Sequence, residues 1–281
     1  MRRSPRQAIH QSFLPPGNHQ AFVWKYSDPI GGRRPRHFHA EPELNLVVRG
    51  SATFGIGDNV VTVSPGEIVA FPSAQDHVLI DSSPDLYLYA VGLDPRYSAE
   101  VLGSEPSHPL HVRLPGSELR AVADRAAEIV ERADVGQLGA ELWQRVHWLA
   151  RHATPRSAQV THVLTRRTLQ LLHADPDLAL TSVAQRLRAH PTDVSRHFHR
   201  DMGMTLVRYR TRLKLLDFIR LVDSHQAELM AAASSAGFGS YSQCHRSFQA
   251  ELSCSPREFF LAGLRKDMQH AYSDQSLPVF F

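Results

Sequence analysis

Cysteine is scarce in this chain of 281 residues: there are two, Cys244 and Cys254. Neither the number nor the spacing builds a disulfide framework or a zinc cluster, so both are expected to be small buried hydrophobes. Long apolar runs are missing too. No stretch of about 18 apolar residues exists, and no membrane-spanning helix is expected. The N-terminal stretch MRRSPRQAIHQSFLPPG is basic but lacks the apolar core of a secretory signal, so a cytoplasmic protein is expected. No glycine-rich phosphate loop and no nucleophile-elbow sequence appears, which argues against nucleotide hydrolysis and serine-hydrolase chemistry. What remains is 42% hydrophobic and 21% charged, enough for two domains with real cores. The net charge of +3 is uneven: residues 1–155 hold 15 Lys+Arg against 17 Asp+Glu, and residues 156–270 hold 16 against 10. The second half is therefore a candidate nucleic-acid surface.

Two periods divide the chain. AFVWKY, ELNLVV, SATFGI, NVVTV, EIVAF, HVLI and LYLYAVGL, between residues 19 and 93, are rich in β-branched and aromatic residues. Turn signals such as Gly57-Asp58-Asn59 and Pro65-Gly66 separate them, which predicts a small barrel or sandwich of short strands. From Ser117 to His152 apolar residues recur at helical spacing, and Gly136 and Gly139 split the stretch into two helices. Their apolar stripe could pack on the strands or pair two subunits. Thr154-Pro155-Arg156-Ser157 reads as a linker, and the residues beyond it, to about Met268, read as helical. The tail QHAYSDQSLPVFF has no period.

The helical half repeats one device. Residues 181–203 and 227–252 each read as a short helix, a tight turn and a second helix, with Arg196-His197-Phe198 and Arg246-Ser247-Phe248 as matching anchors. Gly237 suits a turn with positive φ. Between the copies, LVRYRTRLKLLDFIRLV reads as one long helix. Its stripe is Leu206, Tyr209, Leu213 and Leu216, with Arg208, Arg210, Arg212 and Lys214 expected on solvated faces. A rigid spacer suits DNA, where recognition helices must lie about 34 Å apart to reach successive major grooves.

S-R-x-F-x-x-x-x-G at 195–203, Gly237-Phe238, R-x-F at 246–248 and S-P-x-x-F at 255–259 resemble the DNA-binding domain of the AraC/XylS family over roughly residues 160–262. The resemblance implies base reading by Thr192, Ser195, Arg196 and Arg200 in the first unit. It implies the same for Tyr241, Ser242, His245 and Arg246 in the second. Arginine can bind guanine bidentately, which agrees. Cys244, Ser253 and Phe260 depart from the family pattern, which puts the packing of the second unit in question.

HFHAEPELNLVVRG, residues 37–50, resembles the first cupin motif. Gly66 to Pro72 followed by His77 resembles the second, with Ala74 replacing its usual glycine. Strand alternation puts His37 and His39 on one face. Pro42 bends the chain, so parity does not place Glu43. The resemblance implies a ligand set of His37, His39, Glu43 and His77 for a divalent transition metal (Zn, Ni, Mn, Fe or Co). Without metal the same groups would make a polar effector pocket, with Trp24, Tyr87 and Tyr89 as candidate walls.

The expected fold is α+β and multidomain. It comprises an N-terminal arm (1–18), a cupin-like β-barrel (19–115), a helical dimerisation segment (116–153), an all-α domain with two helix-turn-helix units (158–266) and a tail (267–281). The expected function is a sequence-specific transcription regulator, activating through RNA polymerase, that binds double-stranded DNA as a homodimer and is controlled by a small-molecule or metal effector. A metal-dependent cupin enzyme with a helical appendage and a ligand-independent DNA-binding protein are the alternatives.

Overall fold

The computed structural model describes residues 8–11, 21–26, 35–97, 109–132, 136–152, 154–155, 161–225 and 228–261. The tail 267–281, most of the arm and the side chain of Trp24 lie outside the described residues.

Each of the seven β-rich stretches forms a strand. They are β2 (Ala21–Tyr26), β4 (Glu43–Arg49), β5 (Ala52–Ile56), β6 (Asn59–Val63), β7 (Glu67–Phe71), β8 (His77–Ser82) and β9 (Tyr87–Leu93). Four short strands join them: β1 (Ile9–His10), β3 (His37–Phe38), β10 (Leu110–Arg113) and β11 (Thr154–Pro155). Of these, β3 was read from the alternation of His37 and His39; β1, β10 and β11 were not legible, because two to four residues give too little alternation to register. The strands do not close into one barrel. They form a five-stranded sheet, β1-β3-β8-β5-β6, and a six-stranded sheet, β11-β10-β7-β4-β9-β2. The sheets face each other across Val47, Phe54, Ile56, Val63, Val69, Phe71, Leu86 and Leu88, so the interior is filled by side chains. Thr154-Pro155, expected to be linker, instead pairs with β10.

The outer face of the larger sheet is covered by α1 (Gly116–Arg132) and α2 (Gly136–His152). The stripe read from the sequence supplies the contact: Val122, Ala126, Ile129, Leu142, Val146 and Leu149 bury against Leu44, Leu46, Ile68 and Val91, with Trp143 fully buried among them. Core packing thus accounts for the stripe.

The second half comprises α3 (Val163–Ala174), α4 (Leu180–Leu187), α5 (Pro191–Met202), α6 (Leu206–His225), α7 (Leu229–Ser235), α8 (Tyr241–Leu252) and α9 (Pro256–Leu261). α4–α5 and α7–α8 are the two helix-turn-helix units. α6 has 20 residues, about 30 Å at 1.5 Å per residue, close to the spacing two major grooves require. Val183, Ala184, Val194 and Phe198 pack the first unit, and Ala232, Ala233, Cys244 and Phe248 the second. Both cysteines are buried and unbridged, as expected.

The two α-helical units end alike but not with the same residue. α5 stops at Gly203 with φ +62°, and α8 stops at Ser253 with φ +60°. The left-handed conformation suits glycine and costs a residue with a Cβ about 1–2 kcal/mol, so the departure from the family pattern at Ser253 is a strained C-cap. Ser253→Gly is expected to stabilise the protein by about 0.5–1 kcal/mol, the gain being partly offset by the greater freedom of glycine in the unfolded chain. Denaturant unfolding of the two proteins checks it.

Candidate functional site

Strand alternation builds the first part of the site. On the segment His37-Phe38-His39, both histidines point between the sheets and Phe38 points the other way. His77 opens β8 directly opposite His37, and Glu43 opens β4 after a bend at Ala40-Glu41, just before Pro42. All four are buried. The donor atoms of the three imidazoles lie within 4.8 Å of one another. Glu43 Oε2 lies 3.2 Å from His39 Nε2 and 3.6 Å from His77 Nε2.

Each ring is oriented by a backbone carbonyl. His37 Nδ1 donates to Pro35 O at 2.8 Å, His39 Nδ1 to Glu41 O at 2.7 Å, and His77 Nδ1 to Gln75 O at 3.1 Å. A carbonyl can only accept, so Nδ1 carries the proton and Nε2 keeps its lone pair. Asn45 Nδ2 donates to Glu43 Oε1 at 2.7 Å and fixes the carboxylate. Glu43 Oε2 and His77 Nε2 are buried and have no hydrogen-bond partner outside this cluster. Phe71 stacks on the His77 ring at 4.2 Å.

The electrostatics match. Burial lowers the His39 pKa and outweighs the pull of Glu43, so the ring stays neutral. Burial pushes the Glu43 carboxyl up, but its contacts with His39 and His77 overcome this and hold it well below the usual carboxylate range. Neutral imidazole and ionised carboxylate are the ligating forms. Buried, oriented donors gathered around one point therefore fit a divalent ion: three nitrogens and one oxygen suit zinc, nickel, manganese, iron or cobalt.

The structure brings together His37, His39, Glu43 and His77 but not the tyrosines proposed with them. Tyr89 lies on the opposite face of the larger sheet, in the layer under α1 and α2, and Tyr87 packs against the same layer and shares a hydroxyl hydrogen bond of 2.9 Å with Tyr89. Period 2 along β9 explains this, since Leu88 and Ala90 take the interior face.

The second part of the site is the pair of recognition helices, α5 and α8. α5 begins with Pro191 at its first turn, and His190 caps it through Thr192 N. Ser240 caps α8 by accepting from Gln243 N, and Gln243 Oε1 accepts from Gly239 N. Thr192, Arg196, Arg200, Ser242 and Arg246 are exposed, while Ser195, Tyr241 and His245 are half-buried. Arg196 is held to Asp193 by an exposed ion pair of 2.7 Å, a weak contact that a DNA phosphate or base can replace, and Arg200 pairs at 2.7 Å with the buried carboxylate of Asp201. The N-terminal turns of both helices thus present polar, basic side chains to solvent.

Arg208, Arg210, Arg212 and Lys214 of α6, expected on solvated faces, are instead engaged in contacts within the fold. Arg212 is fully buried. It donates to Glu251 Oε2 at 2.8 Å, to Asp76 Oδ1 at 2.7 Å and to Ala74 O at 3.2 Å, and its guanidinium lies 4.4 Å from the Phe38 ring centroid. Arg208 pairs with Glu251 at 2.8 Å. Arg210 donates to Pro176 O and Asp177 O, and Lys214 to Gly237 O. These side chains are struts. Arg212, Asp76 and Gln75 were missed as functional residues, although a signal existed: Arg212 is three residues after Tyr209 and four before Leu216, inside the apolar stripe.

A β-sandwich with a buried imidazole cluster, joined to two helix-turn-helix units on a rigid spacer, defines a two-domain DNA-binding protein. Comparison with known families gives the same division: a cupin domain model matches residues 25–87, and a helix-turn-helix domain model matches residues 183–262. The chain is 22% identical over 240 residues to the HTH-type transcriptional activator RhaS of Salmonella agona, covering 80% of this chain and 86% of that one. RhaS of Shigella sonnei is likewise 22% identical, over 244 residues. Among solved structures, ToxT of Vibrio cholerae O395 aligns with a TM-score of 0.45 at 10% identity, covering 86% of this chain and 96% of that one. The chain is a DNA-binding transcription regulator of the AraC type with an N-terminal cupin-like domain.

Arg196→Ala is expected to cost about 1–3 kcal/mol on the preferred DNA site and far less on unrelated duplexes, as removal of a base contact does. Binding isotherms on both DNAs check it. Equal weakening on both would assign Arg196 to phosphate.

Proposed function

We propose that this regulator responds to a divalent transition metal held by His37, His39, His77 and Glu43. The observation that carries the reading is the orientation of the donors. Every Nδ1 is tied to a carbonyl, the donor atoms of the three imidazoles converge within 4.8 Å of one another, and Glu43 supplies a buried anion beside them. The sandwich interior argues in the same direction. It is filled by Phe54, Phe71, Leu88 and their neighbours, which leaves little room for a bulky organic effector and favours the ion, alone or with a small anion. When bound, the ion supplies positive charge that neutralises Glu43 and ties three strands together.

The recognition residues are Thr192, Ser195, Arg196 and Arg200 on α5, with Tyr241, Ser242, His245 and Arg246 on α8. Their exposure and the length of α6 support binding in successive major grooves. Promoter activation through RNA polymerase follows the habit of the family. Homodimerisation through α2 is supported by Trp148, an aromatic left 52% exposed beside Arg145.

The complete donor set also suits a metal-dependent enzyme. Turnover that requires His37 would establish that reading, and the helix-turn-helix units speak against it.

Protein purified without chelator or histidine tag is expected to carry near one metal per chain, and His37→Ala/His39→Ala almost none. Saturating metal at a hundredfold above Kd is expected to stabilise the parent by about 2.7 kcal/mol and leave the variant unchanged. Metal analysis with thermal unfolding checks both. A parent that takes up none of zinc, nickel, manganese, iron or cobalt would overturn the metal reading.

A further inference from the structure

We propose that the loop Ala74-Gln75-Asp76-His77 carries the state of the histidine centre to both recognition helices, so that a bound divalent metal sets the DNA affinity. This rests on the metal reading above.

The loop touches the centre at three points. Its last residue is His77 itself. Gln75 O holds the His77 ring through Nδ1 at 3.1 Å, and Ala74 N donates to His39 O at 2.9 Å. Ala74 takes φ +63°, a conformation that costs a non-glycine residue energy, so the path of the loop is imposed by its surroundings.

The same residues grip the DNA-binding domain. The Gln75 side chain is buried, and its Nε2 donates to Met202 O, the last residue of α5, at 3.0 Å. Asp76 accepts from Arg212, and Arg212 donates onward to Glu251 near the end of α8. One loop therefore reaches the C-terminal end of the first recognition helix directly and that of the second through one buried arginine. Phe38, set between the ligands His37 and His39, lies under the same guanidinium.

A neighbouring contact leaves the joint little slack. Gly57 and Gly203 meet backbone to backbone, so closely that a Cβ on Gly203 would lie 2.3 Å from Asp58 N. Asn59 Nδ2 donates to Arg200 O at 3.0 Å. The grip falls on the C-terminal ends of α5 and α8, at the carbonyls of Arg200 and Met202 and the carboxylate of Glu251, and leaves the side chains of Thr192, Arg196, Arg200, Ser242 and Arg246 exposed. It is a positioning device, not a cover. Holding both helices at one separation before DNA arrives reduces the freedom lost on binding, which tightens it.

The test uses the full chain, zinc as the probe, and a duplex selected from random sequences by the zinc-loaded protein. Affinity is measured with zinc and after chelation, and zinc stoichiometry is measured on the same samples. The parent is expected to bind one zinc and to bind DNA at least tenfold more tightly with it. Gln75→Ala and Asp76→Asn are expected to keep one zinc while the zinc effect falls below threefold. Either variant suffices if the other fails to fold. The proposal is overturned if a folded variant binds one zinc and keeps the tenfold effect, or if the parent binds zinc with no change in DNA affinity; in both cases the metal reading survives. A parent that binds no metal overturns both.

Discussion

The two halves of this protein meet at one buried cation. Removing a guanidinium from water costs several kcal/mol even after relaxation, and the cost is met only when every donor finds an acceptor. Arg212 draws its acceptors from both domains: Nη1 donates to Asp76 and the Ala74 carbonyl on one side, and Nε to Glu251 on the other. Neither domain alone supplies enough. Asp76 is held below the usual carboxylate range because, although burial raises it, Arg212 and Arg36 outweigh that penalty. Separation of the domains would take Asp76 and the Ala74 carbonyl away from Arg212 and leave the guanidinium with Glu251 alone, so the interface is polar yet costly to open.

That constraint sets how a small sandwich and a helical domain pack together around the site. Alternation on β3 sends His37 and His39 inward and Phe38 outward, so one three-residue segment serves the imidazole cluster and the domain interface at once. Phe38 and Ala74 share a buried cluster with Phe198, Phe248 and Phe259. His10 sits edge-on between Phe38 and Phe259. The apolar contacts supply attraction, and the Arg212 bonds supply register.

Much of this was legible in the sequence. Strands of five or more residues alternate clearly enough to be read, as do helices with a continuous stripe. The recognition helices were legible because repeated Arg-x-Phe anchors fix which face turns inward. The histidine cluster was legible from its motif spacing. What was not legible depends on contacts between distant segments. β1 and β11 are too short to announce themselves, and closure of the sheets depends on pairing that no local pattern encodes. Tyr87 and Tyr89 look like pocket walls until the parity of β9 is known. Arg212 reads as a surface charge because its partners, Asp76 and Glu251, are 136 and 39 residues away.

Calorimetric unfolding of the full chain, with and without Arg212→Met, tests most directly the claim that Arg212 makes the two domains one cooperative body. The parent is expected to unfold in a single transition. The variant, in which Asp76 and Glu251 lose the partner they share and keep only Arg36 and Arg208, is expected to be destabilised by about 3–5 kcal/mol and to show two transitions, one for each domain. Two independent transitions already present in the parent, at the temperatures seen in the variant, would contradict the account.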